Sequence, residues 1–276
     1  MQFYLGTHVV SWLRKVEFPL FISHRRLFPR ASYPEATCDW VLDSGGFSEL
    51  SIYGTWGILP KNYAKYVLRY KDEIGRMQWA APMDWMCEPK IIRKTGLSVQ
   101  EHQRRTIENF LELRGLLGEL VIPVLQGWTV EDYEQCVELY DRKGVDLRKE
   151  RVVGVGSVCR RQGTDDAKLL FERLAELGIQ AHGFGVKLQG LVKYQENLTS
   201  ADSMAWSTWA RYEVPLQGCT HLNCANCLKY AVKWRNSLLA VLAGKGEVEW
   251  GQGDGDLLDW QRVRRLREPY GSLTGS

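Results

Sequence analysis

Residues 120–156 read LVIPVL QGW TVEDYEQCVELYDR KGVDLRKER VVGVG, and this stretch decides the fold. Two apolar runs, Leu120–Leu125 and Val152–Gly156, have the length and composition of buried strands. Between them, Val130–Arg142 carries apolar residues at three-to-four spacing, the mark of an amphipathic helix. Thr129 stands where its N-cap belongs. A strand, a helix and a second strand in so short a span make a parallel βαβ unit.

The same alternation extends in both directions. Phe3–Gly6, Leu20–Ser23, Trp40–Leu42, Gln78–Met83, Ala181–Val186 and Ser203–Trp206 also read as buried strands. Lys61–Tyr70, Val99–Leu117 and Asp165–Leu177 read as further amphipathic helices, with Ser98 as an N-cap and Glu101 completing a capping box. Eight strands alternating with helices predict an α/β fold of the (β/α)8 TIM-barrel class, although the first three strands lack clear helices between them. In such barrels the active site lies at the C-terminal ends of the strands. The residues at or just after those ends are His8, His24, Asp43, Asp84, Gln126, Gly156-Ser157, Lys187 and Asp202. A lone Asp at a strand end is more often a cap or turn residue. Three carboxylates and an amide converging on one mouth form a chemically sensible site.

Composition sets the outer bounds. A chain of 276 residues with 45% hydrophobic residues supports a packed core, and no apolar run approaches membrane-spanning length. A net charge of +3 is compatible with a nucleic-acid partner without requiring one. No low-complexity linker interrupts the sequence. The expected organisation is therefore a single domain over 1–270, with 271–276 as a loose tail.

Seven cysteines are present, an odd number, and three of them fall within Cys219-Thr-His221-Leu-Asn-Cys224-Ala-Asn-Cys227. The other four are scattered singly, and the N-terminus carries no signal-peptide pattern, so a disulfide framework fits poorly. The expected compartment is reducing, the cytoplasm of a bacterium or of a phage-infected host. Cys219, His221, Cys224 and Cys227 form a set of soft and borderline ligands suited to tetrahedral Zn2+. His221, only two residues from Cys219, is the ligand that spacing supports least. Four protein ligands leave no open position, so the zinc is structural, held in an inserted segment over 215–244.

Asp43-Ser44-Gly45-Gly46-Phe47 resembles the Asp-Ser-Gly-Gly-aromatic motif of the tRNA-guanine transglycosylases, a zinc-containing (β/α)8 family. Other matches follow in the family's order: Met83-Asp84, Val124-Leu125-Gln126-Gly127, Gly156-Ser157-Val158, Phe184-Gly185-Val186, and Asp202-Ser203-Met204-Ala205-Trp206 with Trp209-Ala210-Arg211. The resemblance runs from about residue 40 to about residue 235. It departs from the family at the zinc site, where three cysteines are usually joined by a distant histidine. Here His221 stands for the second cysteine and Cys227 for that histidine. The chain is also shorter than the tRNA enzymes, and the region between Phe184 and Asp202 does not match closely. It looks more like the compact phage and bacterial relatives that place 7-deazaguanines into DNA.

The resemblance implies Asp202 as nucleophile and Asp43 as general acid/base. An oxocarbenium-like sugar carbon invites carboxylate attack, and the departing base needs a proton. Asp84 suits the ring N–H and exocyclic amine of a guanine-like base. Gln126, Gly156 and Ser157 suit its O6 side, and Phe47 offers a stacking face. Arg160-Arg161, Lys187, Arg211 and the group Arg262, Arg264, Arg265 and Arg267 are candidate phosphate contacts. The expected function is exchange of guanine in DNA for a 7-deazaguanine such as preQ0. The alternatives are the same exchange on tRNA, and a non-catalytic nucleic-acid-binding subunit on the same scaffold. The expected partners are nucleic acid and a free 7-deazaguanine base, with no membrane; a homodimer and a partner subunit both remain open.

Overall fold

Leu5, Leu20, Ile22, Val41, Leu42, Val124 and Val155 are all fully buried, as expected for strands covered on both faces. They lie on eight strands: β1 Gln2–Thr7, β2 Leu20–Ser23, β3 Trp40–Asp43, β4 Met77–Ala80, β5 Val124–Leu125, β6 Val153–Val155, β7 Ala181–Gly183 and β8 Ser200–Ser203. The structure, a computed structural model, describes residues 1–245. The arginine group at 262–267 and the tail expected at 271–276 lie outside the described residues.

All the pairings are parallel, in the order β4-β3-β2-β1-β8-β7-β6-β5. The sheet curls around an interior of Tyr4, Val41, Trp79, Ala81, Ile122 and Val152, with Phe21 and Phe184 packed against them. At the two ends of the strand order, Ala80 bridges Val121, and the Ile122 N–H donates to the Ala80 carbonyl at 3.2 Å. Ten helices are described. α1 is His24–Leu27, α2 Gly46–Tyr53, α3 Pro60–Ile74, α4 Pro89–Thr95, α5 Val99–Leu117, α6 Val130–Arg142, α7 Asp165–Glu176, α8 Leu188–Tyr194, α9 Ala205–Trp209 and α10 Leu228–Leu242. None is long and apolar enough to cross a membrane.

The chain forms two compact units, residues 1–204 and a second that starts at Ala205. The first holds the whole sheet and α1–α8. Its helix starts follow side-chain chemistry. Thr129 and Asp132 form a reciprocal capping box at α6. At α5, Ser98 Oγ accepts from the Glu101 N–H at 3.1 Å, but the expected box is not formed. The Glu101 carboxylate pairs instead with Arg104 and Arg105 on its own helix, at 2.7 and 2.6 Å. The last strand also differs from expectation: it covers Ser200–Ser203 rather than Ser203–Trp206, and the apolar residues from Ala205 onward begin α9.

Candidate active site

Parallel strands deliver their C-terminal ends to one edge, and the site is assembled there. Asp43 ends β3, directly beside Ser23 at the end of β2. Asp202 is the third residue of β8 and pairs with Tyr4. Asp84 follows β4 by four residues, Gln126 follows β5 directly, and Ser157 follows β6 by two.

Between Asp43 and α2 the chain turns through Gly45, whose φ of +84° lies in the left-handed region that glycine adopts without strain. A Cβ on Gly46 would lie 3.0 Å from Asp84 Oδ1, so this turn brings backbone against that carboxylate. Asp84 is held on three sides. Ser44 Oγ donates to its Oδ1 at 3.1 Å, Gln126 Nε2 donates to its Oδ2 at 2.5 Å, and Trp56 Nε1 donates to its main-chain carbonyl at 3.3 Å. Behind Gln126 the chain of contacts continues: Ser157 Oγ donates to Gln126 Oε1 and accepts from the Cys87 N–H, both at 2.7 Å. A Cβ on Gly156 would fall 2.2 Å from Gln126 Nε2, so only glycine lets the amide lie there. Ser157 takes a φ of +58°, uncommon for a residue with a side chain and frequent at functional sites. The Gly156 N–H, expected as a base contact, is already given to the Leu125 carbonyl at 3.0 Å.

The carboxylates perturb one another. Burial, then the charge of Asp43, pushes Asp84 up to about 6. Asp43 is likewise raised by burial, with a smaller contribution from the charge of Asp202, against hydrogen bonds from Ser23 and the Gly45 backbone that favour its ionised form. Asp202 Oδ1 accepts from the Gly185 N–H at 3.0 Å and lies 3.3 Å from His182 Nε2. Two carboxyls raised above their ordinary value by burial, next to a third carboxylate, are suited to proton transfer.

Phe47 is 41% exposed, so it is not core; the Arg160 guanidinium lies 5.1 Å from its ring centre. Arg160 also pairs with the buried Glu88 at 3.1 Å, and Arg161 lies over the Trp128 ring at 5.0 Å. Other strand-end residues go elsewhere. His24 is buried among Tyr63, Tyr66 and Tyr70, and burial pushes it down to about 4. His8 accepts from Arg26 Nε at 3.1 Å. Burial pushes the thiols of Cys38 and Cys136 up to about 11 and about 12, which disfavours the nucleophilic thiolate. Sequence reasoning missed Ser23, Ser44, Trp56, His182 and Ser200. Only Ser44 directly follows a predicted acid, Asp43, which is the one signal that could have found it.

In the second unit, the ligand atoms of Cys219, His221, Cys224 and Cys227 all lie within 4.8 Å of one another. Cys219 and Cys227 Sγ are 3.8 Å apart, and His221 Nε2 is 3.1 Å from Cys224 Sγ. Zn–S bonds of about 2.3 Å at tetrahedral angles place two sulfurs roughly 3.8 Å apart, so the set fits zinc. The loop is fixed by the Cys224 N–H donating to Ala210 O at 3.1 Å and Ser207 Oγ donating to Ala225 O at 2.8 Å. Cys227 is the N-cap of α10, and Arg211 is exposed.

A family model described as "DpdA: DeoxyPurine in DNA protein A" matches residues 1–265. No curated protein matches the chain.

Proposed function

The chain belongs to the DpdA family, deoxypurine in DNA protein A, and on that premise we propose that it exchanges a guanine in DNA for a 7-deazaguanine such as preQ0. The observation that carries the reading is the convergence of Asp43, Asp84 and Asp202 at one edge of a parallel sheet, with Asp43 raised by burial and the charge of Asp202, and Asp84 raised by burial and the charge of Asp43.

The residues divide the work as follows. The target nucleotide leaves its stack, since the sugar C1′ is otherwise out of reach. Asp84 accepts from the ring N–H and exocyclic amine of the base, while Gln126 and Ser157 address its O6 side. Phe47 supplies a stacking face. Asp202 attacks C1′ as the N-glycosidic bond breaks, forming a glycosyl ester, and Asp43 gives its proton to the departing guanine. The incoming 7-deazaguanine then loses its N9 proton to Asp43 and attacks C1′, and the Asp202 carboxylate leaves. Two inversions at C1′ retain the configuration. Burial supports Asp43 in this role, because it raises the acid above the ordinary carboxylate value and so favours the protonated form that donates.

We read the sheet as a closed (β/α)8 barrel; the Ala80–Val121 bridge supports that reading. We also read residues 1–270 as one transglycosylase domain with Cys219, His221, Cys224 and Cys227 holding structural zinc. Bound there, the metal supplies folding energy and no chemistry.

The test is incorporation. The protein is incubated with labelled guanine or preQ0 and with either duplex DNA or bulk tRNA, and the label in each polymer is counted. Label in DNA is expected. Label in tRNA alone overturns the substrate, and label in neither overturns the exchange reaction.

A further inference from the structure

The interior of the sheet is apolar and aromatic, yet a histidine stands in the middle of it. His182 is 0% exposed. Its ring packs 4.9 Å from Trp79, 4.8 Å from Phe184, and 5.9 Å from both Tyr4 and Phe21, measured between ring centres. A leucine or phenylalanine would fill this place without the cost of burying two ring nitrogens. Both nitrogens, however, have partners. Nδ1 lies 2.8 Å from Ser200 Oγ, and Nε2 lies 3.3 Å from Asp202 Oδ1. Ser200 and Asp202 alternate along β8, so both side chains face the same interior.

We propose that His182 is the positioning residue for Asp202: it fixes one carboxylate oxygen so that the other is presented to the sugar. This rests on the reading of Asp202 as nucleophile. In the ionised state that attack requires, Oδ1 has no hydrogen to give, so Nε2 carries it and donates. The Ser200 hydroxyl then donates to Nδ1 and sets the tautomer. The Gly185 N–H is the second donor to the same Oδ1, at 3.0 Å. Two donors converging on Oδ1 satisfy that oxygen and fix the carboxylate plane. Oδ2 is left for C1′. When the ester is later cleaved, the same two donors are in place to receive charge returning to the carboxylate. The aromatic rings around the imidazole prevent it from swinging away, so the donor is preorganised.

Three variants and two readouts test this. The first readout is the rate of covalent adduct formation between the protein and DNA at limiting incoming base. The second is the 15N spectrum of the free protein with labelled histidine, which reports the His182 tautomer without any chemistry. His182→Leu is expected to slow adduct formation roughly 10–100-fold, the loss typical of one hydrogen bond to a charged group, with free-base affinity unchanged. His182→Gln carries an amide N–H to about the Nε2 position and is expected to recover most of the rate. Ser200→Ala keeps the donor and should slow the step less than His182→Leu. If His182→Leu cannot be folded, the comparison of His182→Gln and Ser200→Ala with wild type stands alone. A His182→Gln rate as low as that of a folded His182→Leu, or a His182→Leu rate equal to wild type, overturns the proposal. In the spectrum, the Nε2–H signal of His182 is expected to shift on Asp202→Asn, and no shift overturns the coupling. A shift in a protein whose wild type forms no adduct would leave the coupling standing and sink the transglycosylase reading instead.

Discussion

Asp84 shows how one residue's surroundings set its chemistry. Its two oxygens already accept from Ser44 and Gln126, so the orientation of the carboxylate is fixed by the protein itself. Burial and the charge of Asp43 raise it from 3.8 to about 6. A raised acid favours the neutral form in the folded state, whereas the unfolded chain ionises at the ordinary value. Stability from this group is therefore fully present below about pH 4 and lost as pH rises through about 6. A shift of about two units corresponds to at most about 3 kcal/mol, less to the extent that water reaches the half-buried side chain. Urea melts of wild type and Asp84→Asn should diverge accordingly, with the variant gaining on wild type between pH 4 and 7. The amide also disturbs the contact with Gln126, but that offset does not depend on pH. A stability difference flat across this range would contradict the assignment.

At the scale of elements, the zinc loop and the strand ends differ in how much their sequence disclosed. The loop is nearly self-describing, because four candidate ligands fall within nine residues and the structure brings them together. Cys224 is 1% exposed, and its N–H anchors the loop to Ala210. Cys224→Ser should abolish zinc binding and unfold the second unit, since closed zinc sites in small domains supply on the order of 10 kcal/mol. Elemental analysis and thermal melting measure both. Folded, zinc-free protein would refute the structural role, and full occupancy in His221→Ala would remove His221 from the ligand set. The helices α5 and α6 were legible to the residue, because strong periodicity coincides with a Ser or Thr cap. β8 was not. Its residues Ser200, Asp202 and Ser203 are polar yet buried, and Ser200 and Asp202 meet His182 and Gly185 rather than solvent. A reading that seeks apolar strands slid onto Met204-Ala205-Trp206, where the helix begins. His182 was missed for the same reason: its partners come from a neighbouring strand, and no spacing along the chain reveals them.

For the molecule as a whole, parallel pairing puts every strand's C-terminal end on one edge. Residues spread from Asp43 to Asp202 are thus brought to one edge. The family match over residues 1–265 points to DNA, and in the proposed reaction the three carboxylates serve as acid, base reader and nucleophile. The central claim is that Asp202 becomes covalently joined to DNA during exchange. The most direct measurement is a denaturing gel of protein incubated with labelled duplex DNA at limiting incoming base, followed by peptide mapping of the shifted band. Wild type should give a band that survives denaturation, carries its sugar on Asp202, and disappears when 7-deazaguanine is added. Asp202→Asn should give none, while Asp43→Asn should lose turnover yet still trap some adduct. A shifted band that persists in Asp202→Asn, or that maps to Asp43, would contradict the account.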